Sequence, residues 1–378
     1  MNIKKVGVLG GGQLGKMMAM AAANWHIPIY FLDPDENASS KFYCHGFKNG
    51  DFRNYEDVYS FGKDMDILTI EIEHVSISAL KDLEKLGVKV FPQPHILEMI
   101  QDKGLQKEFF KKNGIPSPDF ELVNDKKEIL KQNFTFPFVQ KTRKGGYDGK
   151  GVQIVKSKND YAFLFESPSV IENCVDIDKE LAIIGARNEV GEIVLYPPVE
   201  MIFNEDANLV EFLRCPAQIS NSTIQEMKLI AQNILEITEI CGLLAIEMFL
   251  DREGKIWVNE MAPRPHNSGH HTIESHITSQ FEQHLRAILN FPLGSTKMKS
   301  PSIMMNILGE PGEEGEAELQ GLEKVLREEG VYVHLYGKKM VKPFRKMGHV
   351  TILKENIEEA LTVSQIVKNQ LKMGSKVP

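Results

Sequence analysis

The stretch Leu243–Thr272, LLAIEMFLDREGKIWVNEMAPRPHNSGHHT, decides how the rest of the chain is read. Two apolar runs, Leu243–Leu250 and Ile256–Asn259, flank Asp251-Arg252-Glu253-Gly254, and the turn-forming Asp and Gly between them predict a β-hairpin. A carboxylate interrupts the first run at Glu247, and another ends the second at Glu260. With a four-residue turn, Glu247 lies opposite Val258 and diagonal to Glu260 on one face, because strand side chains alternate with period two. Like charges on a largely buried face are costly unless a cation neutralises them. Carboxylates are hard ligands suited to Mg²⁺, or Mn²⁺ in its place, and Mg²⁺ usually completes its shell with nucleotide phosphates. Two independent edge acids are the alternative reading. Pro263 and Pro265 stop the strand from continuing. The chain therefore leaves the sheet after Glu260 and enters Asn267–Thr272, a polar segment whose Gly269 permits close backbone approach to a ligand. A solvated loop with two histidines is the plainer alternative.

Upstream, Phe136–Lys141 and Val152–Val155 read as strands joined by Thr142–Gly151, a basic loop with four glycines. It leads to a strand rather than a helix and lacks the Walker spacing, so it reads as a lid whose amides and Lys150 fold over phosphates, with a solvated basic hairpin as the alternative. Backbone groups at Glu172, Asn173, Cys174 and Val175 are placed to bond an adenine, and Glu180 to hold a ribose or serve as a surface acid. Ser222–Cys241 is helical by period, with Ile224, Met227, Ile230, Ala231, Ile234 and Leu235 on one stripe.

At the N-terminus, the strand Val6–Leu9, the turn Gly10–Gly15 and a following helix form a βα unit that fits GxGxxG, and Asp33 ends the next strand where a dinucleotide fold places its ribose acid. That admits an NAD-dependent oxidoreductase, although a packing turn needs the same glycines. A strand over Ile67–Ile72 delivers Glu73 to its C-terminal end, either as a ligand contact or as a helix-initiating acid. Near the C-terminus, Lys338, Arg345 and Lys346 converge as a candidate phosphate site.

The chain has 378 residues, 42% hydrophobic and 25% charged, which implies two or three globular domains. Its net charge of −8 argues against a general nucleic-acid binder. No apolar run reaches the roughly 18 residues of a membrane helix and no signal pattern opens the chain, so a cytoplasmic setting is expected. Cys44, Cys174, Cys215 and Cys241 form no CxxC pair and read as small buried hydrophobes rather than zinc or disulfide sites.

Together, the strand lysine, the glycine lid, the paired-carboxylate hairpin and the basic terminal segment resemble the ATP-grasp superfamily along the full length. GGGQLGKM at 10–17, GGYDGKG at 145–151, PRPHNSGHH at 263–271, HLYGK at 334–338 and RKMGH at 345–349 are similar to its 5-(carboxyamino)imidazole ribonucleotide synthase family. The resemblance implies an α/β (α+β overall) ATP-grasp fold: a Rossmann-like domain over 1–102, an ATP-grasp domain over 103–292 with a lid at about 115–170, and a small β-rich domain over 293–378. It implies that ATP and bicarbonate form carboxyphosphate, which carboxylates the amine of 5-aminoimidazole ribonucleotide in purine biosynthesis. Carried onto this chain, it places Lys103, Lys141, Gly146, Tyr147, Asp148, Gly149, Lys150, Gly151, Glu172–Val175, Glu180, Asn259 and Glu260 on ATP. Glu247 and Glu260 would hold the metal. Gln13, Leu14, Glu73, Asn267, Ser268, Gly269, His270, Lys338, Arg345 and Lys346 would face the ribonucleotide. Asp148, Lys150, His270 and Lys338 are the candidates for bicarbonate and proton handling, and a homodimer is expected.

Two departures stand out. Glu200-Met201-Ile202-Phe203 lacks the histidine usual before the PA dipeptide, and Lys103 stands where arginine is common. Lysine is a point donor and cannot reproduce the guanidinium fork. A formate-dependent glycinamide ribonucleotide transformylase of the same fold, and a non-catalytic nucleotide-binding regulator, are the competing functions.

Overall fold

The structure, a computed structural model, describes residues 4–146, 150–204 and 209–376. Its N-terminal sheet is parallel throughout, with strands β1 (Val6–Leu9), β2 (Ile29–Asp33), β3 (Gly46–Asn49), β4 (Ile67–Ile70) and β5 (Lys89–Val90) in the order β3-β2-β1-β4-β5. The sequence pattern announces four of these strands. β3 escapes it because Gly46-Phe47-Lys48-Asn49 has a single large apolar residue.

The glycine turn after β1 is filled by the protein itself. Asp33 accepts from the Gly11 N–H at 2.6 Å, and Glu71 accepts from Gly12 N–H at 2.8 Å and Gly15 N–H at 2.6 Å. Gly10 is obligatory here: its φ is +93°, and an added Cβ would lie 2.5 Å from Glu71 Cγ. A dinucleotide fold offers such amides to pyrophosphate and such an acid to ribose. Both are engaged internally, so the oxidoreductase reading fails on geometry.

A second, antiparallel sheet contains β6 (Phe120–Val123), β7 (Phe138–Thr142), β8 (Val152–Val155) and β9 (Ser169–Asn173), ordered β6-β9-β7-β8. The third is the largest. It is built from β10 (Ile177–Arg187), β11 (Ile193–Leu195), β12 (Val199–Asn204), β13 (Leu209–Cys215), β14 (Gly242–Asp251) and β15 (Ile256–Ala262). A further three of its strands come from the C-terminal segment, namely β16 (Ser302–Leu308), β18 (Val331–Leu335) and β20 (Lys346–Leu353). The order is β15-β14-β10-β12-β13-β16-β20-β18, with β11 beside β10. β17 (Gly315–Gln320), β19 (Met340–Val341) and β21 (Lys372–Ser375) form a small sheet alongside. Because β13 pairs with β16, the segment after residue 293 extends the large sheet as well as forming the small one.

The helix Asn221–Thr238 packs Met227, Ala231, Ile234 and Leu235 against Leu181, Ile183, Ile246, Met248 and Val258. Ser220 caps its start by accepting from Thr223 N–H, and Glu239 ends it in the left-handed region with φ +51°. The stripe read from the sequence is thus the face that seats β10, β14 and β15.

Glu71→Ala would leave two backbone amides of the glycine turn without acceptors. Each such loss costs about 1–3 kcal/mol, so denaturant unfolding should show destabilisation of about 2 kcal/mol or more; a change under about 0.5 kcal/mol would contradict the plug.

Candidate functional site

The hairpin β14–β15 forms as its sequence predicts, and Asp251 sets the turn by accepting from Glu253 N–H at 3.0 Å and Lys255 N–H at 2.8 Å. The register differs from the simple expectation. A bulge between Glu247 and Met248 leaves Asn259 unpaired, so Glu247 stands directly opposite Glu260, while Val258 faces Met248. Two carboxylates therefore share one face at adjacent ladder positions. Burial, and then Glu260, raise the Glu247 carboxyl far above its ordinary range. Burial alone would raise Glu260 too, but the adjoining Lys103 ammonium, Lys141 and His266 together outweigh it and hold Glu260 low. The pair is thus arranged to keep one charge and one proton until a cation arrives. Two hard carboxylates facing a cleft, with a lysine already supplying positive charge, fit a divalent ion of the Mg²⁺ type.

Lys103 opens the helix Lys103–Lys112, whose N-cap Asp102 accepts from Gly104 N–H at 2.9 Å and is gripped by Arg143 at 2.8 and 2.9 Å. One turn further, Lys107 reaches Glu172 Oε1 at 2.8 Å as an ion pair off the hydrogen-bond axis. Lys141 pairs with Glu172 Oε2 at 2.8 Å and donates to Asn259 Oδ1 at 2.8 Å. Glu172 is only 3% exposed; burial would raise its pKa, but Lys141 and Lys107 overcome that and lower it. Burial brings Lys107 down to about 8. Lys103, Gln106, Lys107, Lys141, Glu172, Asn259 and Glu260 line one small cavity. Lys107 and Gln106 are not legible as site residues, although the Lys103/Lys107 spacing places both ammonium groups on one helix face.

The glycine-rich segment expected to form a lid lies between β7 and β8, which pair with Lys141 opposite Val152. Gly146 and Gly151 have no room for a side chain, since an added Cβ would lie 2.8 Å from Lys150 O and 2.4 Å from Thr142 Oγ1 respectively. The expectations for Tyr147, Asp148 and Gly149 lie outside the described residues. Lys150 is exposed beside the lid stem. Asn173, Cys174 and Val175 line a separate cavity of about 330 Å³ with Pro118, Asp251 and Trp257. Glu180 lies on β10, paired with Phe249, and burial raises it to about 7, with Lys141 pulling the other way.

On the other side, the His266 imidazole approaches Glu247 at 3.5 Å, and Arg264 pairs with Glu73 at 2.7 Å, tying the hairpin exit to the N-terminal sheet. Gln280 clamps this exit, accepting from His266 N–H at 2.9 Å and donating to His266 O at 2.8 Å. An added Cβ on Gly269 would lie 2.4 Å from Gln280 Oε1. Asn267 exchanges amide hydrogen bonds with Asn306 of β16 at 2.9 and 3.2 Å. Ser268 and His270 are 1% exposed, so their side chains sit inside the protein rather than on the cleft surface. Burial pushes His270 well below the ordinary imidazole value. Leu14 likewise belongs to the core, whereas Gln13 starts its helix half-buried. Lys16 on that helix donates to Leu335 O at 2.6 Å, tying the helix to the end of β18. Lys338 donates to Lys346 O at 2.7 Å, Arg345 donates to Met340 O at 2.7 Å, and the Lys346 charge is felt at both Glu247 and His270.

This geometry has counterparts. Residues 108–281 match the ATP-grasp domain, 3–101 the ribonucleotide synthetase preATP-grasp domain, and 302–362 the phosphoribosylaminoimidazole carboxylase C-terminal domain. The fold and cleft thus define an ATP-grasp enzyme. The chain is 39% identical over 374 residues to the phosphoribosylaminoimidazole carboxylase of Candida glabrata, covering 95% of this chain and 65% of that relative's length. It matches the N5-carboxyaminoimidazole ribonucleotide synthetase structure from Thermotoga maritima at 44% identity and TM-score 0.92, covering 99% of this chain and 100% of that one. The Aspergillus clavatus N5-carboxyaminoimidazole synthase, solved with ADP and 5-aminoimidazole ribonucleotide, matches at 33% identity and TM-score 0.89, covering 97% and 98% of the two chains. The chain belongs to the N5-carboxyaminoimidazole ribonucleotide synthase family.

The carboxylate pair predicts a pH signature. Glu247 is raised in the folded state, so its proton stabilises the fold fully below the ordinary carboxylate pKa and is lost as pH rises through neutrality. Ligand-free Glu247→Gln should therefore melt about 2 °C or more above wild type at pH 8, with the gap closing by about pH 4. A gap independent of pH in thermal melts would show that the pair does not share a proton.

Proposed function

We propose that this protein carboxylates 5-aminoimidazole ribonucleotide at its exocyclic amine, using ATP and bicarbonate and releasing ADP and phosphate. The observation that carries the reading is the position of Glu247–Glu260 between two polar regions. Lys103, Lys141 and Lys107 lie on one side, and His266, with the stiff Pro263–Pro265 link, leads to the Asn267–His270 loop on the other.

In this reading bicarbonate oxygen attacks the γ-phosphorus of ATP and ADP leaves. The resulting carboxyphosphate gives its carboxyl group to the amine, with phosphate departing and the amine losing a proton. Glu247 and Glu260 would hold a magnesium ion, which would offset charge on the transferring phosphoryl group. Lys103 and Lys141 direct ammonium groups at the phosphate chain, and the lid carries Lys150 over it. Glu180 faces the ribose and the 172–175 backbone faces the base. Lys103 has two tasks: it neutralises Glu260 in the ligand-free protein and turns to phosphate when the nucleotide·metal complex binds. Lys338, Arg345 and Lys346 receive the ribonucleotide phosphate, with Gln13 and Glu73 near the sugar. Burial holds His270 neutral, so in this reading it serves as a fixed dipole within the Asn267–His270 loop rather than carrying positive charge. A closed lid keeps water from carboxyphosphate. Formate in place of bicarbonate would define the transformylase instead; the match of residues 302–362 to the phosphoribosylaminoimidazole carboxylase C-terminal domain favours carboxylation. A homodimer and a cytoplasmic setting go with this reading, and no helix among the described residues is long and apolar enough to cross a membrane.

Isotopically labelled bicarbonate should appear in a carboxylated ribonucleotide, with ADP formed only when both bicarbonate and 5-aminoimidazole ribonucleotide are present; a bicarbonate-independent ADP yield would reject the assignment. Glu260→Gln should lower kcat by on the order of 10²-fold or more. Lys338→Ala should raise the ribonucleotide KM at least about tenfold while leaving the ATP KM within about twofold, and equal shifts would remove Lys338 from the phosphate site.

A further inference from the structure

Immediately after the Asn267–His270 loop, in the buried interior, lies a second cluster of chemistry-bearing side chains. Cys215 ends β13, His271 precedes the short helix Thr272–Ser275, and His276 follows it. These side chains are 0%, 2% and 1% exposed. One donor atom from each lies within 4.8 Å of the others, and among the described residues this is the one group of three or more His, Cys, Asp or Glu side chains so assembled. A fourth soft donor adjoins it. Met298 Sδ is 3.9 Å from Cys215 Sγ, and the Met298 backbone bridges to His276.

Hydrogen bonding fixes the state of one ring. Ser275 Oγ donates its single proton to His271 O at 2.7 Å, so at its 2.8 Å contact with His276 Nδ1 it must accept. His276 therefore carries its proton on Nδ1 and presents a bare Nε2 lone pair, which has no hydrogen-bond partner. Metal-bound imidazoles are commonly oriented in this way, the far nitrogen donating to a fixed acceptor. Neither ring nitrogen of His271 makes a hydrogen bond of good geometry; the Ser268 backbone approaches one of them, which leaves the other bare. Buried nitrogens without partners are rare, and these adjoin each other and a thiol.

We propose that Cys215, His271 and His276, with Met298 as a weaker fourth donor, hold one thiophilic d¹⁰ cation, Cu⁺ or Zn²⁺. Two imidazole nitrogens, a thiolate and a thioether form a soft set with no hard oxygen ligand, distinct from the Glu247–Glu260 pair. Binding breaks the Cys215 S–H bond, forms a metal–sulfur bond and releases that proton to solvent, with no change in oxidation state. Burial raises the thiol to about 12, so it stays protonated until a cation arrives, while burial keeps both imidazoles neutral. Cu⁺ with one thiolate leaves the site uncharged, and the nearby Lys299 ammonium disfavours the extra charge of Zn²⁺. A water molecule donating to both nitrogens is the competing occupant, and it would not use the sulfur atoms. The cation would pin the end of β13 to both flanks of Thr272–Ser275, bracing the loop that carries Asn267–His270. This assignment does not depend on the carboxylation reading.

The test is metal analysis and X-ray absorption on protein purified from zinc-supplemented and from copper-supplemented cultures. Wild type should carry about one ion per chain in at least one culture, with a sulfur scatterer near ~2.3 Å. Cys215→Ser and His276→Phe should each fall below about a tenth of that content, while Cys241→Ser, at a buried cysteine elsewhere, should retain it. Wild type with under about a tenth of an ion per chain in both cultures, a shell of oxygen and nitrogen alone, or undiminished metal in Cys215→Ser would overturn the proposal. Should either variant fail to fold, the wild-type stoichiometry and sulfur signal decide the matter.

Discussion

Two carboxylates facing each other across a β-ladder cannot both remain charged in a closed setting unless something positive lies between or beside them. Glu247 and Glu260 impose that constraint, and much of the surrounding cleft answers it. Lys103 neutralises one member, His266 approaches the other, and Asn259, displaced by the bulge, accepts from Lys141. The bulge matters because the register that pairs Met248 with Val258, continued unbroken, would have set Glu247 against Asn259 and turned Glu260 to the opposite face.

A second electrostatic layer lies beneath. Glu172 is almost fully buried and bridges two lysines, whose mutual repulsion it offsets. Removing any one member would leave an uncompensated buried charge, which is more damaging than never having had the pair. The consequence for the cleft is positional: Lys141 is fixed by Glu172 and Asn259 together, so its ammonium points at one place before any ligand arrives.

The fold was legible where period and turn chemistry speak clearly, as in the glycine turn after β1, the helix Asn221–Thr238 and the Asp251–Gly254 hairpin. Glu247 and Glu260 could be paired from strand alternation alone, but the one-residue bulge that aligns them leaves no local sequence signal. Glu71, Lys107, Gln280 and Arg264 were not legible, because each acts through a partner far away in sequence: Gly12, Glu172, His266 and Glu73. The same reason hid the cysteine–histidine cluster. Its residues come from a strand end and from both ends of a short helix, so no CxxC-like spacing could announce it. Conversely, the resemblance of PRPHNSGHH to its family suggested side chains presented to a ligand, whereas Ser268 and His270 point inward, a fact that follows from packing against Gln280 and Phe281 rather than from residue type.

The pairing of β13 with β16 has a mechanical meaning for turnover. Because neighbouring strands are hydrogen-bonded in turn from β15, which bears Glu260, to β20, which bears Lys346, the span between the carboxylate pair and the basic cluster at Lys346 is a stiff ruler rather than a hinge. The lid strands β7 and β8 lie on a different sheet. On the carboxylation reading proposed above, opening the lid would release spent nucleotide without stretching the ruler, leaving the amine's berth at its proper distance for the next cycle. A bulkier acceptor amine would have to be accommodated by reshaping the Pro263–His270 link, since no flexing of the sheet could make room for it.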